Sequence, residues 1–169
     1  QPPLFPITDT HPVHAVTWFG AEAYCEWAGL RLPDGREWEF AARGTDGRLL
    51  PWDKDSDLIS IAQPGQGFAS KCNSAGDTDG FVKTCPVDQF KSGASPNGCL
   101  GMAGNVSEWV AATGSRAPGV LTAEGRIVRG GNWRRNLSGC RASHRSPRGA
   151  SQALPTVGFR VSRSHPRPP

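Results

Sequence analysis

The feature that most constrains this chain is the stretch 45–100, where no hydrophobic period persists and Gly, Asp, Ser and Asn dominate. A run that long without regular structure is unusual in a compact domain and calls for an external stabiliser or a function; a bound metal is one solution. The 21 glycines and 15 prolines among 169 residues likewise favour turns over long helices. A chain of this size forms one domain and buries roughly two thirds of its unfolded surface. Its six tryptophans, Trp18, Trp27, Trp38, Trp52, Trp109 and Trp133, are the bulky core material.

Outside that stretch the regular elements are few. Residues 1–12 read as an extended, proline-rich lead-in, 13–162 as the domain and 163–169 as a tail. His14–Trp18 alternates briefly, which suits a short strand. Ala21, Ala23, Tyr24, Trp27 and Ala28 then fall at helical spacing, and Gly29 is a natural stop. Asp34 followed by Glu37 is a capping-box pattern. It starts a second helix with Trp38, Phe40, Ala41 and Ala42 on its apolar side and Gly44 at its end. Val106–Ala111, Arg126–Arg129 and Val157–Val161 are strand-like. No internal repeat is visible, and no apolar run has the length that spans a lipid bilayer. The chain begins at Gln1 without a signal-like stretch and reads as a fragment.

Charge is polarised. Residues 1–124 carry nine Lys or Arg against fifteen Asp or Glu, a balance of −6, whereas 125–169 carry ten arginines and no acid. A basic end on an acidic body implies internal ion pairing, or a protein or other macromolecular partner with an acidic surface. Charge alone is weak evidence for nucleic acid, which is not the expected partner. The five cysteines, Cys25, Cys72, Cys85, Cys99 and Cys140, contain no CxxC pair, which argues against zinc. Their odd number leaves at least one thiol free or paired between chains. His11 and His14 lack a matching ligand pair, and His144 lies among arginines that disfavour both protonation and a bound cation. There is no Gly-x-Ser-x-Gly elbow and no phosphate loop ahead of a helix.

A series of short motifs carries a more specific signal. In order they are Ala23–Gly29, Arg31-Leu32-Pro33, Glu37–Gly44, Pro51-Trp52, Asp79-Gly80-Phe81, Pro86-Val87, Asn97-Gly98, Met102–Trp109, Arg129-Gly130-Gly131 and Gly158-Phe159-Arg160. This order resembles the formylglycine-generating-enzyme, or sulfatase-modifying-factor, family over residues 11 to 162. The resemblance implies an α+β, C-type-lectin-like fold with two helices, short antiparallel strands and much ordered loop. It also implies that an N-terminal part of the full family domain is absent from this chain.

The resemblance further implies structural calcium. Asn73, Ser74, Asp79 and Phe81 match one calcium site, with side-chain oxygens from Asn73 and Asp79 and backbone carbonyls from Ser74 and Phe81. Hard oxygens in a flexible loop are what calcium takes. The competing reading is that Asp77 and Asp79 only make Asx turns. Gly104, Val106 and Glu108 match a second site, but a side-chain ligand position there is Gly101, so this site is weak; Glu108 could instead pair with Arg129 or Arg160. Cys72 and Cys85 bracket the first loop, and a disulfide between them would brace it.

The family enzyme oxidises a substrate cysteine with copper(I) held by two cysteines that follow the Gly-Gly motif. Here Cys140 falls on the second of these and Arg135 on the first, while Asn132 replaces the serine after Gly-Gly. One thiolate beside a guanidinium does not reproduce a two-thiolate site for soft Cu(I), so catalysis is not expected.

Residues 126–161 also resemble, more narrowly, the variable region of proteins diversified by retroelements. There a reverse transcriptase miscopies template adenines, turning asparagine codons into codons for many residues whose side chains lie on one ligand-binding face. Asn132, Trp133, Arg134, Arg135, Asn136, Ser138, Gly139, His144, Ser146, Arg148, Leu154 and Thr156 form the candidate ligand-binding surface, within 132–156. Pro147 and Gly149 suit the same pattern, whereas Gln152 is not reachable from an asparagine codon with a pyrimidine third base. The expected function is a non-catalytic ligand-binding module. The alternatives are a fixed regulatory module of the family fused to another domain and, least favoured, the copper-dependent oxidase.

Overall fold

The computed structural model describes residues 8–55, 68–75, 79–112 and 125–164. Residues 1–7, Asp77 and residues 165–169, for which expectations were given above, lie outside the described residues.

Helix α1 spans Trp18–Trp27; the side chain of its N-cap Thr17 accepts from the Gly20 N–H at 3.0 Å. Helix α2 spans Gly35–Arg43 and opens with the capping box that the sequence predicts. Asp34 accepts from the Arg36 and Glu37 N–H groups while Glu37 Oε2 accepts from the Asp34 N–H. This satisfies donors that a helix start otherwise leaves orphaned. Gly44, at φ 60°, ends α2 with a conformation that favours glycine.

Four strands follow: β1 (Ser107–Trp109), β2 (Gly125–Arg129), β3 (Ser146–Gly149) and β4 (Val157–Phe159), in the order β3-β2-β1-β4. The expectation of antiparallel strands holds for β1–β2 and β2–β3, but β4 runs parallel to β1, with Glu108 opposite Gly158. The sheet is therefore mixed. Residues 14–17, expected as a strand, carry no strand pairing; Thr17 caps α1 and Trp18 already belongs to the helix. Within the lead-in, Thr10 and His11 contact the domain: the Val87 N–H donates to the Thr10 carbonyl at 2.9 Å, and His11 Nδ1 lies 2.9 Å from Thr84 Oγ1.

Both helices lie where the sequence places them, but their inward faces differ from expectation. On α1 the buried residues are Trp18, Ala21 and Cys25, whereas Tyr24 is largely exposed and Trp27 is 82% exposed. On α2 Trp38 and Ala42 are buried and Phe40 is exposed. Three tryptophans, Trp18, Trp38 and Trp109, anchor the core. Trp18, Ala21, Cys25, Leu32, Trp109, Val128 and Val157 form one cluster; Trp38, Ala42, Met102, Val110, Ile127 and Ala142 form another. The indoles are also pinned by polar contacts: Trp18 Nε1 donates to the Val110 carbonyl and Trp109 Nε1 to the Val16 carbonyl, both at 2.9 Å. Buried Trp N–H groups need such acceptors.

Candidate functional site

The candidate calcium loop is joined to the loop that leads into β1. The Asn105 N–H donates to the Asn73 carbonyl at 2.7 Å, and a Cβ added at Gly104 would lie 2.1 Å from that oxygen. Gly104, at φ +79°, is thus required by both backbone conformation and close approach. The Asn105 side chain is a clamp: Oδ1 accepts from the Cys85 N–H at 3.1 Å and Nδ2 donates to the Cys85 carbonyl at 3.0 Å. Asn105 itself sits at φ 57°, a region that Asn tolerates better than most residues. It was not singled out from sequence. Its position inside Gly-Asn-Val-Ser-Glu-Trp was the only available signal.

Asp79 ties two of the other candidate ligands, Ser74 and Phe81, to itself through their backbone N–H groups. Asp79 accepts from the Ser74 N–H at 3.0 Å and from the Phe81 N–H at 2.9 Å, so it does make the turn contacts of the competing reading. Asn73 is buried; its Nδ2 donates to the Lys83 carbonyl at 2.5 Å, and its Oδ1 is buried without a partner. An orphaned buried carbonyl oxygen costs about 1–3 kcal/mol, which a cation or a water would offset. Asn73 also lines a cavity of about 10 Å³ with Cys72, Cys85 and Asn105, room for one water-sized species. No group of three or more His, Cys, Asp or Glu side chains converges among the described residues. Of the candidate ligands only Asn73 lines this cavity, while Asp79, Ser74 and Phe81 lie outside its lining; a carboxylate, an amide oxygen and carbonyls are nonetheless donor types that calcium takes.

At the weaker second position, Glu108 is already engaged. Arg160 Nε donates to its Oε2 at 2.5 Å and Arg160 Nη2 to its Oε1 at 2.6 Å, while Trp38 Nε1 donates to Oε2 at 2.6 Å. Arg160 Nη2 also reaches the Leu100 and Gly101 carbonyls. The carboxylate of Glu108, expected to serve a cation with Gly104 and Val106, is thus taken by a guanidinium, and the alternative pairing of Glu108 with Arg160 is the one observed. Arg129, the other candidate partner, is buried beneath Glu39, donating at 2.7 Å, with its guanidinium 5.1 Å from the Trp38 ring.

All five cysteines are free thiols, so the expected Cys72–Cys85 disulfide is not formed. Burial pushes the Cys85 thiol up to about 11 and raises Cys72 as well. Cys140 is fully buried, its thiol pushed up to about 12 by burial. A Cβ on Gly131 would approach its Sγ to 2.5 Å, so the Gly-Gly turn and Cys140 are packed together. A buried thiol raised in this way is a poor nucleophile. Arg135, at the other position of the pair, is exposed.

The loop 132–140 is tied to this base. The Trp133 N–H donates to the Asn105 carbonyl at 3.0 Å, and the Ala75 N–H donates to the Arg135 carbonyl at 2.8 Å. Asn132, expected on the ligand face, is buried instead: its Nδ2 donates to Ser107 Oγ at 2.9 Å and its Oδ1 accepts from the Arg134 N–H at 3.1 Å. Arg134, Arg135 and Asn136 are exposed; Trp133, Ser138, Gly139, His144, Ser146, Arg148, Leu154 and Thr156 are half-buried. Leu154 packs against the core, and the Thr156 carbonyl accepts from the Ser107 N–H at 2.8 Å. These two belong more to the scaffold than to a face. Gln152 Oε1 accepts from the Gly149 N–H at 3.1 Å, so this position outside the asparagine-codon pattern has a turn to hold.

The arginines divide. Arg129, Arg145 and Arg43 share Glu39, and Arg160 holds Glu108. Arg134 stacks 5.5 Å from the Trp133 ring. Arg135, Arg141 and Arg148 form no ion pair with a described carboxylate, and Arg141 and Arg148 donate only to neighbouring carbonyls. Burial, then Arg141, Arg135, Arg129 and Arg148, hold His144 below the usual histidine range.

A small mixed sheet beside two helices, with long ordered loops stapled to it, defines a C-type-lectin-like domain. Residues 2–165 match the sulfatase-modifying factor enzyme 1-like domain, and the chain belongs to that family. It is 32% identical over 176 residues to formylglycine-generating enzyme of Mus musculus, covering 92% of this chain and 45% of the relative. It is 35% identical over 168 residues to inactive C-alpha-formylglycine-generating enzyme 2 of Mus musculus, covering 93% and 50%. The chain spans about half the length of these curated relatives. Among solved structures, PvdO from Pseudomonas aeruginosa superposes with TM-score 0.76 at 23% identity, covering 93% of this chain and 63% of that one. Treponema denticola variable protein 1 superposes with TM-score 0.65 at 22% identity, covering 95% and 74%. At such identities these two superpositions bear on the fold.

Proposed function

We propose that the chain is a non-catalytic ligand-binding module that presents the loop face around Arg134, Arg135, Asn136, His144 and Arg148 to an acidic protein or other macromolecular surface, and that this face is retroelement-diversified. The observation that carries the reading is the separation of roles within 132–156. Exposed or half-exposed polar side chains stand on a backbone fixed by Asn105, Ala75, Asn132 and Gln152. Loops held on a rigid scaffold are where recognition concentrates. Arg135 in place of the first cysteine, with Cys140 buried, supports the absence of a two-thiolate copper site. Calcium at Asn73, Ser74, Asp79 and Phe81 would serve as a structural ion bracing the loop beneath the face.

The test is to sequence the DNA flanking the gene. The expected result is a near-copy of the segment coding for Arg126–Val161, differing where the copy has adenines, beside a reverse transcriptase gene. Absence of any copy would remove diversification and leave a fixed module. That second reading has its own support, because the chain also matches 24% of the length of serine/threonine-protein kinase pkn1 of Chlamydia caviae at 32% identity.

A further inference from the structure

One carboxylate on α2 is shared by three guanidiniums from three parts of the chain. Glu39 Oε2 accepts from Arg129 Nη2 at 2.7 Å and from Arg145 Nη2 at 3.0 Å, while Oε1 accepts from Arg43 Nη2. Arg43 comes from the last turn of the same helix, Arg129 from the end of β2, and Arg145 from the residue before β3. The β2–β3 register, which sets Val128 opposite Ser146, carries Arg145 alongside Arg129. Charge does not balance at this point. Three positive charges meet one negative, and the three arginines make no other ion pair among the described residues. Arg129 has the strongest need of Glu39, because its side chain is fully buried and its Nε and Nη1 are buried without a partner. Burial lowers its pKa, Glu39 only partly restores it, and Arg145 and Arg43 lower it further. Arg43 and Arg145 are thus surplus to the one carboxylate present. They are also the accessible members, with side chains 27% and 51% exposed. A second anion laid against them would offset the repulsion.

Glu39 itself shows which acceptor the cluster fits: a planar carboxylate, whose two oxygens match the fork of a guanidinium. Arg43 Nη1 already donates to the Gly47 carbonyl at 3.3 Å. Arg145 has only Nη2 engaged, so its Nε and Nη1 are the donors left for a second carboxylate. The place is separate from the loop face around Arg148. Arg126, which pairs with Arg148, lies 4.4 Å from the Trp18 ring, whereas Arg129 lies 5.1 Å from the Trp38 ring. Those two tryptophans belong to different core clusters. Side chains alternate along a strand, so Arg126 and Arg129, an odd number of positions apart, lie on opposite faces of the sheet.

We propose that Arg145, flanked by Arg43 on Glu39, is a carboxylate-binding site on the sheet face opposite Arg148. Positions 43 and 145 lie outside the candidate ligand surface, so the site stands whether or not that surface is diversified. The probes are a hexaglutamate peptide and succinate, with inorganic phosphate as the tetrahedral control, titrated at low ionic strength while the arginine Nε–H signals are followed by NMR. The expected result is a saturable shift of the Arg145 Nε–H that disappears at high salt. The tighter of peptide and succinate identifies the source, an acidic partner chain or a free acid. Arg145→Ala should weaken binding by about tenfold, the size of one lost charge-assisted hydrogen bond. Its melting temperature, set beside that of the parent chain, shows that the fold is kept. Arg36→Ala and Arg148→Ala remove the same charge elsewhere and should leave this binding unchanged. No saturation by about 10 mM of either carboxylate, a millimolar-or-weaker affinity, would overturn the proposal. So would tighter binding of phosphate, or an equal loss in Arg36→Ala. Weakening by Arg148→Ala with none by Arg145→Ala would place the acid on the loop face of the proposed function and discard this site. The reverse pattern keeps this site whatever the flanking DNA contains.

Discussion

The N–H of Ala75 donates to the carbonyl of Arg135 at 2.8 Å, joining the candidate calcium loop to the candidate ligand loop across 60 residues of sequence. Whatever orders residues 73–75 therefore also fixes the backbone from which Arg134, Arg135 and Asn136 project.

Calcium removal should reach both loops. If calcium binds the native state, saturation at about 100 times its Kd stabilises by about 2.7 kcal/mol. For a domain of this size that is on the order of 5–10 °C in melting temperature. Chelation should produce that drop in the parent chain and none in Asn73→Ala or Asp79→Ala. A melt indifferent to both chelator and added calcium would reject the site.

Asn105→Ala should be among the costlier single changes. It strands the N–H and carbonyl of buried Cys85, each bonded only by that amide in this geometry. The expected loss is about 2–4 kcal/mol, from two unsatisfied buried groups. Asn105→Gly keeps the positive φ permissible, so a similar loss there would assign the effect to the hydrogen bonds rather than to backbone strain. Urea denaturation of the three proteins measures both.

Arg160→Ala should cost about 3–5 kcal/mol, because it leaves the buried Glu108 carboxylate without its cation. Arg31→Ala should cost no more than about 1 kcal/mol, because the Arg31–Glu37 pair is solvent-exposed. The two pairs are equally short at 2.5 Å and both arginines also donate to other oxygens, so burial is the main difference between them. Equal losses would contradict this account.

Acid should destabilise the domain through Glu39. Burial raises its pKa, but the hydrogen bond and charge of Arg129 and the charge of Arg43 outweigh burial and leave it below the usual glutamate value. A carboxylate with a depressed native pKa contributes stability that is present above its unfolded pKa of about 4.3 and lost as pH falls through the native value. Melting temperature should therefore decline below about pH 4.3, more gently in Glu39→Gln, whose stability should already be lower at neutral pH.

Thiol accessibility checks the burial of the cysteines. Ellman's reagent should react with Cys99 alone in the native chain, since Cys25, Cys72, Cys85 and Cys140 are buried, and with all five thiols in denaturant. Rapid native reaction at Cys140 would reopen soft-metal chemistry there.

What the sequence made legible follows the range of the forces involved. The α2 capping box was readable because all its partners lie within four residues. The strands β1, β2 and β4 were readable because their cores are β-branched or aromatic. The edge strand β3 was not, because Ser-Pro-Arg-Gly has no strand character. Proline fits there because its ring replaces an N–H on a strand with a neighbour on one side only. The inward face of α1 was misread because Tyr24 and Trp27 look like core residues, yet they stack on each other and, through Tyr24, on Phe159 near the surface. At the site, Arg134 and Arg135 were legible as exposed, but the burial of Asn132 depends on Ser107, 25 positions away. The clamp of Asn105 on Cys85 spans 20 positions and leaves no local pattern.

The packing of Gly131 against Cys140 carries an evolutionary consequence. A side chain at 131 would collide with the sulfur, and a larger residue at 140 would meet the same crowded backbone. Between these two fixed points the positions 134–136 face outward and bear no part of the core. Mutational drift at Arg134 and Arg135 can sample new side chains without risking collapse of the domain, whereas Asn136 also accepts from the Gly139 N–H, so novelty and foldability are inherited largely by different residues.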